Sequence, residues 1–322
     1  MGVNKMKSVY KPLILGLSGP RISKEEYFLF KTHLPLGYII FSRNIKDFLQ
    51  LKNLIAELKS LNPDQKTLIM IDHEGGRVNR FSNFFNQNNQ SAKIFGNYFK
   101  ADKNKFDLEI NKFINFNSNL FNYFGINLIA TPVLDLFYPN KSSVISDRAY
   151  SENVKEVISI GKIIIKKYFK RRLLTIGKHA PGHGLSNLDS HFHLPIINET
   201  KDFLFNNDFE CFKNIESPFL MTAHLLYKNI DSIHPATFSS IIIKQIIKKK
   251  LKFKGLIMSD DICMKALNGS IESRAARSFE AGCDIVLHCS GNLAEMRRLL
   301  TTTKMANKKL LAKMIKIFNY SQ

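Results

Sequence analysis

Cysteine is scarce in this chain, and what there is forms no pattern. Cys211, Cys263, Cys283 and Cys289 include no C-x-x-C pair and no framework spacing, so they read as reduced thiols in a reducing compartment. No uninterrupted apolar stretch approaches the roughly 18 residues of a membrane span. The apolar run at 13–17 is too short for the core of a secretory signal, and Met6 stands where a myristoylation signal needs Ser or Thr. A cytoplasmic protein with no membrane partner is expected. No Pro/Gly/Ser-rich linker and no internal repeat divides the chain, so residues 1–322 read as one domain. Acidic side chains are also in short supply, 27 against 47 Lys and Arg, for a net charge of +20. Such an excess could serve nucleic acid or an anionic surface. The lysines are scattered, however, with one dense cluster at Lys248, Lys249, Lys250, Lys252 and Lys254, and no nucleic-acid motif accompanies them. The charge reads as solvated helix faces, with no nucleic-acid partner expected.

What is present is an alternation. Short, apolar, β-branched runs lie at 13–17, 38–41, 67–71, 127–133, 173–176, 219–222, 256–258 and 284–288, short enough for buried parallel strands. Helical patterns separate them. Phe48, Leu51, Ile55 and Leu58 form one stripe; Val154, Val157, Ile158 and Gly161 form another, with Ser151 as a candidate N-cap. About eight βα units predict an α/β fold of the (β/α)₈ TIM-barrel type, with a doubly wound open sheet as the alternative. The polar residues favour the barrel. Several runs end abruptly in reactive groups: Ser42-Arg43-Asn44, Asp72-His73-Glu74, Lys178-His179, His224 and Ser259-Asp260-Asp261. Reactive groups at the C-terminal ends of many strands are the mark of a barrel active site.

Three constellations carry chemistry. KHAPGHG at 178–184 is followed by Asp189-Ser190-His191, which predicts a tight, exposed loop after a strand. A carboxylate two residues from an imidazole can fix its tautomer and raise its basicity, as a general acid/base requires. The same stretch admits a zinc site built from His179, His183 and His191, although no HExxH occurs. In Ser259-Asp260-Asp261, an aspartate at the mouth of an apolar strand can attack an anomeric carbon. Alternatively, one of these three residues caps a helix carrying Met264. IDHEGGRVNRF at 71–81 sets carboxylates and arginines around a Gly-Gly turn, a grouping suited to holding sugar hydroxyls.

Together these segments, with GYIIFSRN at 37–44, TPVLDL at 131–136, SDR at 146–148, MTAH at 221–224, PATFS at 235–239 and AGCD at 281–284, resemble glycoside hydrolase family 3 over nearly the whole chain. The resemblance is specifically to the single-domain bacterial β-N-acetylglucosaminidases of peptidoglycan recycling. It implies a retaining exo-hydrolase that needs no cofactor or metal. Asp260 would be the nucleophile, His191 the acid/base steered by Asp189, and Asp72, Arg80, Arg148, Lys178 and His179 the residues holding the sugar. The implied partner is N-acetylglucosamine linked β-1,4 to 1,6-anhydro-N-acetylmuramic acid, often bearing a peptide, and a monomer is expected. A neutral imidazole base repels an anion less than a carboxylate would, so phosphate is an alternative acceptor to water. The chain departs from the family pattern at Ala180, where Phe is usual, at His73, where Gln is usual, and in the spacer bearing His193 and Pro195.

Overall fold

The computed structural model describes residues 10–63, 66–141, 144–190 and 192–320. Each of the eight apolar runs becomes a barrel strand: β1 (Tyr10–Gly16), β2 (Leu34–Ile40), β3 (Leu68–Ile71), β4 (Leu128–Ile129), β5 (Leu174–Ala180), β6 (Phe219–Thr222), β7 (Leu256–Asp261) and β8 (Ile285–His288). They pair in parallel, in chain order, and β1 meets β8 to close the cylinder. A TIM barrel is therefore the fold, and the open-sheet alternative is excluded by that closing pair. Ile14, Leu36, Met70, Leu128, Ile176, Met221, Leu256 and Leu287 share one buried cluster that fills the interior, as the small eight-stranded barrel requires.

The helical stripes became helices. Phe48–Ser60 turns Leu51, Leu54, Ile55 and Leu58 inward. Val154–Phe169 buries Val157, Ile160, Gly161 and Ile164, but Ser151 is not its cap. The helix starts later, and Asn153 Oδ1 accepts the amides of Lys155 and Glu156 at 2.9 and 3.3 Å. Ser151 instead gives its hydroxyl to Glu156 at 2.5 Å. At the other end of the chain, Lys308–Tyr320 sends Leu310, Leu311, Met314 and Phe318 into the barrel cluster. Lys313 Nζ bonds the carbonyls of Lys254 and Gly255, just before β7. That helix thus covers the N-terminal mouth, and the C-terminal mouth is left to the loops that follow the strands. A short parallel pairing of Ile196–Ile197 with Leu226–Tyr227 ties the loop after β5 to the loop after β6. Among the described residues no helix is long and apolar enough to cross a membrane.

Candidate active site

The loops at the C-terminal mouth enclose a cavity of about 360 Å³. Asp72, Arg80, Arg148, Lys178, His179 and Asp260 all line it, so six of the eight site residues expected from sequence converge there. His191 lies outside the described residues. Asp189 is described and half-buried, and Ser190, the residue between them, lines the cavity.

One wall is a chain of alternating charges. Arg80 gives an N–H to Asp72 Oδ2 at 2.6 Å, and Lys178 Nζ reaches Asp72 Oδ1 at 2.5 Å. The same ammonium lies 2.5 Å from Glu74 Oε1. Glu74 is gripped from its far side by Arg148 through two N–H donors at 2.8 Å each, the bidentate fork for which arginine is shaped. Burial alone would raise both carboxyl pKa values. Lys178 and Arg80 around Asp72, and Arg148 and Lys178 around Glu74, hold them below the usual range instead. Lys178 is 2% exposed. Burial pulls its pKa down, but the two carboxylates more than compensate, and it stays an ammonium. A glycine pair shapes this wall: Gly75 and Gly76 both have positive φ, +87° and +55°, a turn open to glycine at little cost.

Asp260 faces the same space with a different environment. Its Oδ1 accepts the Asp261 amide at 2.7 Å, and among the described residues it has no salt-bridge partner. Burial would raise its pKa, yet His224, His179, the Asp261 amide and Lys178 together hold it below the ordinary value, so it is an anion at neutral pH. Its neighbour has another task. Asp261 Oδ1 accepts the amides of Cys263 and Cys289, both at 3.0 Å, and so joins the loops after β7 and β8. The capping alternative therefore fails. The next helix begins only at Ile271, under Ser270, and Ser259 Oγ accepts the Leu287 amide inside the barrel.

His179 is oriented from behind. Its Nδ1–H donates to Asp135 Oδ2 at 2.7 Å, and Asp135 Oδ1 takes the His183 amide at 2.7 Å. With Nδ1 protonated, Nε2 is left as an acceptor, and an Arg148 N–H lies 3.4 Å from it. The loop that follows is not exposed, as its glycines and proline had suggested, but buried from Pro181 to Ser186. Gly182 is packed so closely that a Cβ there would stand 2.6 Å from the Asp208 Cβ, and the Tyr227 hydroxyl donates to the Gly182 carbonyl. The third histidine of the zinc alternative, His191, lies outside the described residues. Of the other two, His179 is committed to Asp135, and burial pulls the His183 pKa down to about 4.

Several residues of the site were given no role from sequence. Glu74 and His224 stand among the strand-end polar groups, and Asp135 lies within TPVLDL. Asp135 meets His179 across 44 positions of sequence. His224 donates Nε2–H to the Asp261 carbonyl at 2.9 Å while its Nδ1 faces Thr237 Oγ1 at 2.7 Å, which braces the backbone beside Asp260. The one available signal was position, since each follows or closely trails a strand end. His73, where the family pattern has Gln, is also buried, with Nε2 bonded to Gln87 Oε1 at 2.7 Å.

Beneath the loop, Asp208 shares its Oδ2 with the Tyr138 hydroxyl at 2.8 Å, while Oδ1 is buried with no partner among the described residues. Burial pushes its pKa up to about 7. An unfolded aspartate titrates near about 3.9. Between these values the folded state keeps a proton that the unfolded chain has released, so this group costs stability as pH rises from about 4 to 7. Asp208→Asn is therefore expected to raise the melting temperature at pH 8, by on the order of a few kcal/mol of stability, and to change it little at pH 4.5. Thermal unfolding at the two pH values checks this; a difference independent of pH would contradict it.

The description "Glycosyl hydrolase family 3 N terminal domain" matches residues 5–319. The chain belongs to glycosyl hydrolase family 3. It is a glycoside hydrolase, and the relatives described next are β-hexosaminidases. The β-hexosaminidase of Neisseria gonorrhoeae strain FA 1090 is 35% identical over 285 residues, which is 87% of this chain and 78% of that protein. That of Glaesserella parasuis is 32% identical over 86% of this chain and 80% of its own length. Among solved structures, native NagZ from Neisseria gonorrhoeae superposes with a TM-score of 0.85 at 32% identity, covering 97% of this chain and 90% of NagZ. A second structure is NagZ from the same organism in complex with N-trifluoroacetyl-D-glucosamine, at 31% identity and the same TM-score, 0.85.

Proposed function

We propose that this family 3 hydrolase is a retaining exo-β-N-acetylglucosaminidase. Its substrate is N-acetylglucosamine linked β-1,4 to 1,6-anhydro-N-acetylmuramic acid, with or without a peptide, and it acts in the cytoplasm on recycled cell-wall fragments. One contrast within the cavity carries the reading. Asp72 and Glu74 are neutralised by three cations, whereas Asp260 is an anion with no salt-bridge partner among the described residues. A carboxylate left unpaired in a buried site keeps its lone pairs for a substrate. The relatives' β-hexosaminidase names and the complex of NagZ with an N-acylated glucosamine support the choice of sugar.

In the first step an Asp260 oxygen attacks the anomeric carbon. The glycosidic C–O bond breaks, and the His191 imidazolium gives its proton to the departing oxygen. In the second step His191, now neutral, takes a proton from water as that water attacks the same carbon; the ester to Asp260 breaks and the sugar leaves with its configuration retained. Asp189 holds the His191 ring. Asp72, Arg80, Arg148, Lys178 and His179 bind the hydroxyls and N-acyl group of the sugar, and the working unit is a monomer. The test is a mass spectrum of the protein after incubation with an activated 2-fluoro glycoside of this sugar series. One added glycosyl mass on the peptide containing Asp260 is expected. A label on another residue, or turnover of the anhydro-disaccharide without labelling, would overturn the assignment. The same turnover run in phosphate buffer reports any sugar 1-phosphate and so distinguishes water from phosphate as acceptor.

A further inference from the structure

A second cluster lies beside the sugar cavity. Cys263 follows β7, His288 ends β8, and Glu295 stands in the first turn of the helix Leu293–Thr302. One ligand atom from each lies within 4.8 Å of the other two. His288 is fully buried; its Nε2 is 2.9 Å from Glu295 Oε2, and its Nδ1 has no hydrogen-bond partner among the described residues. Ser290 Oγ adds a polar contact at 2.8 Å from Glu295 and 3.2 Å from His288. The mechanism above uses none of these side chains.

We propose that Cys263, His288 and Glu295 form a binding site for a borderline-soft divalent cation such as zinc. The donor set of thiolate, imidazole and carboxylate suits such a cation and not the all-oxygen chemistry of magnesium or calcium. Tetrahedral zinc sets its ligand atoms roughly 3.3–3.6 Å apart, so side-chain rotations of about an ångström close the site. Charge also balances: a dication with one thiolate and one carboxylate is neutral, which a half-buried position demands. The thiol proton is released to solvent as the metal binds. The cation would tie the loop after β7 to β8 and its following helix, in parallel with the Asp261 carboxylate, which already holds the Cys263 and Cys289 amides. It would thereby brace the segment bearing Asp260.

The experiment is a titration of the full-length, metal-stripped protein with cobalt(II), followed by absorption. One equivalent is expected to produce a near-ultraviolet thiolate-to-cobalt band with visible bands of a four-coordinate ion, and zinc is expected to displace it. Cys263→Ser should abolish the thiolate band and Cys289→Ser should keep it. Glu295→Gln should weaken binding at least as much as the roughly ten- to hundredfold loss typical of outer-shell partners. Should these variants fold poorly, zinc protection of Cys263 from iodoacetamide in the unaltered protein, mapped by peptide mass, gives the same answer. No thiolate band in the unaltered protein, a band that survives Cys263→Ser, or alkylation of Cys263 unaffected by zinc would overturn the proposal.

Discussion

Asp260→Ala is expected to lower kcat for release of an aryl β-N-acetylglucosaminide by about 10⁴-fold or more, the scale seen when a catalytic nucleophile is deleted. That corresponds to roughly 5–6 kcal/mol of lost transition-state stabilisation. The variant should fold normally, because the Asp260 side chain gives the described structure only one backbone hydrogen bond, from Asp261. Ground-state affinity for the sugar should change little, since the Arg80–Asp72–Lys178–Glu74–Arg148 chain is untouched. A small anion such as azide can occupy the space left by the carboxylate. It would attack the anomeric carbon of an activated substrate from the same face, so partial rescue should give the α-glycosyl azide. Steady-state kinetics and product analysis check both halves. Near-full activity in the variant, or rescue yielding the β-azide, would remove Asp260 from the role.

The second large effect is expected on stability. Lys178 is the shared cation of two buried carboxylates, with Asp72 and Glu74 each 2.5 Å from Nζ. Lys178→Met keeps the volume and removes the charge. Each carboxylate retains one arginine, but the pair now repel each other without an ammonium between them. Breaking a buried ion pair by removing one partner costs on the order of 3–5 kcal/mol. The sign with pH follows from the depressed carboxyl pKa values. In the unaltered protein these groups contribute stability that is fully present above their unfolded values, about 4, and is lost as pH falls through the folded values. The deficit of Lys178→Met should therefore be largest near pH 7 and shrink towards pH 4, where a carboxyl in the variant can protonate. Denaturant unfolding at both pH values measures this, with an equal deficit at each as the contrary result. On the proposed function, activity should fall as well, because the cavity wall assigned to the sugar loses its fixed geometry.

The eight barrel strands were legible because buried parallel strands are apolar throughout, and each run at 13–17, 38–41 and onward to 284–288 falls on one of them. Their order needed little more, since βα units stack right-handed and in sequence. The site was legible in part for the same reason: a charged residue placed directly after such a run has few places to go except the C-terminal mouth, which is where Asp72, Lys178, His179 and Asp260 are found. Ser151 and Asn153 both stand where a cap could form. Ser and Asn are both good caps, and only the backbone at 153–156 decides between them.

The sequence by itself determined the barrel, the end of it that carries the chemistry, and the family, because strand periodicity and motif order are local properties of the chain. Only the tertiary structure decided the partners: that Glu74 locks Arg148 from 74 positions away, that Asp135 orients His179, and that of two adjacent aspartates Asp261 binds backbone while Asp260 faces the cavity without a salt-bridge partner among the described residues. Such pairings depend on distances across closed strands and on which side of a turn a carboxylate emerges, and no local pattern encodes either.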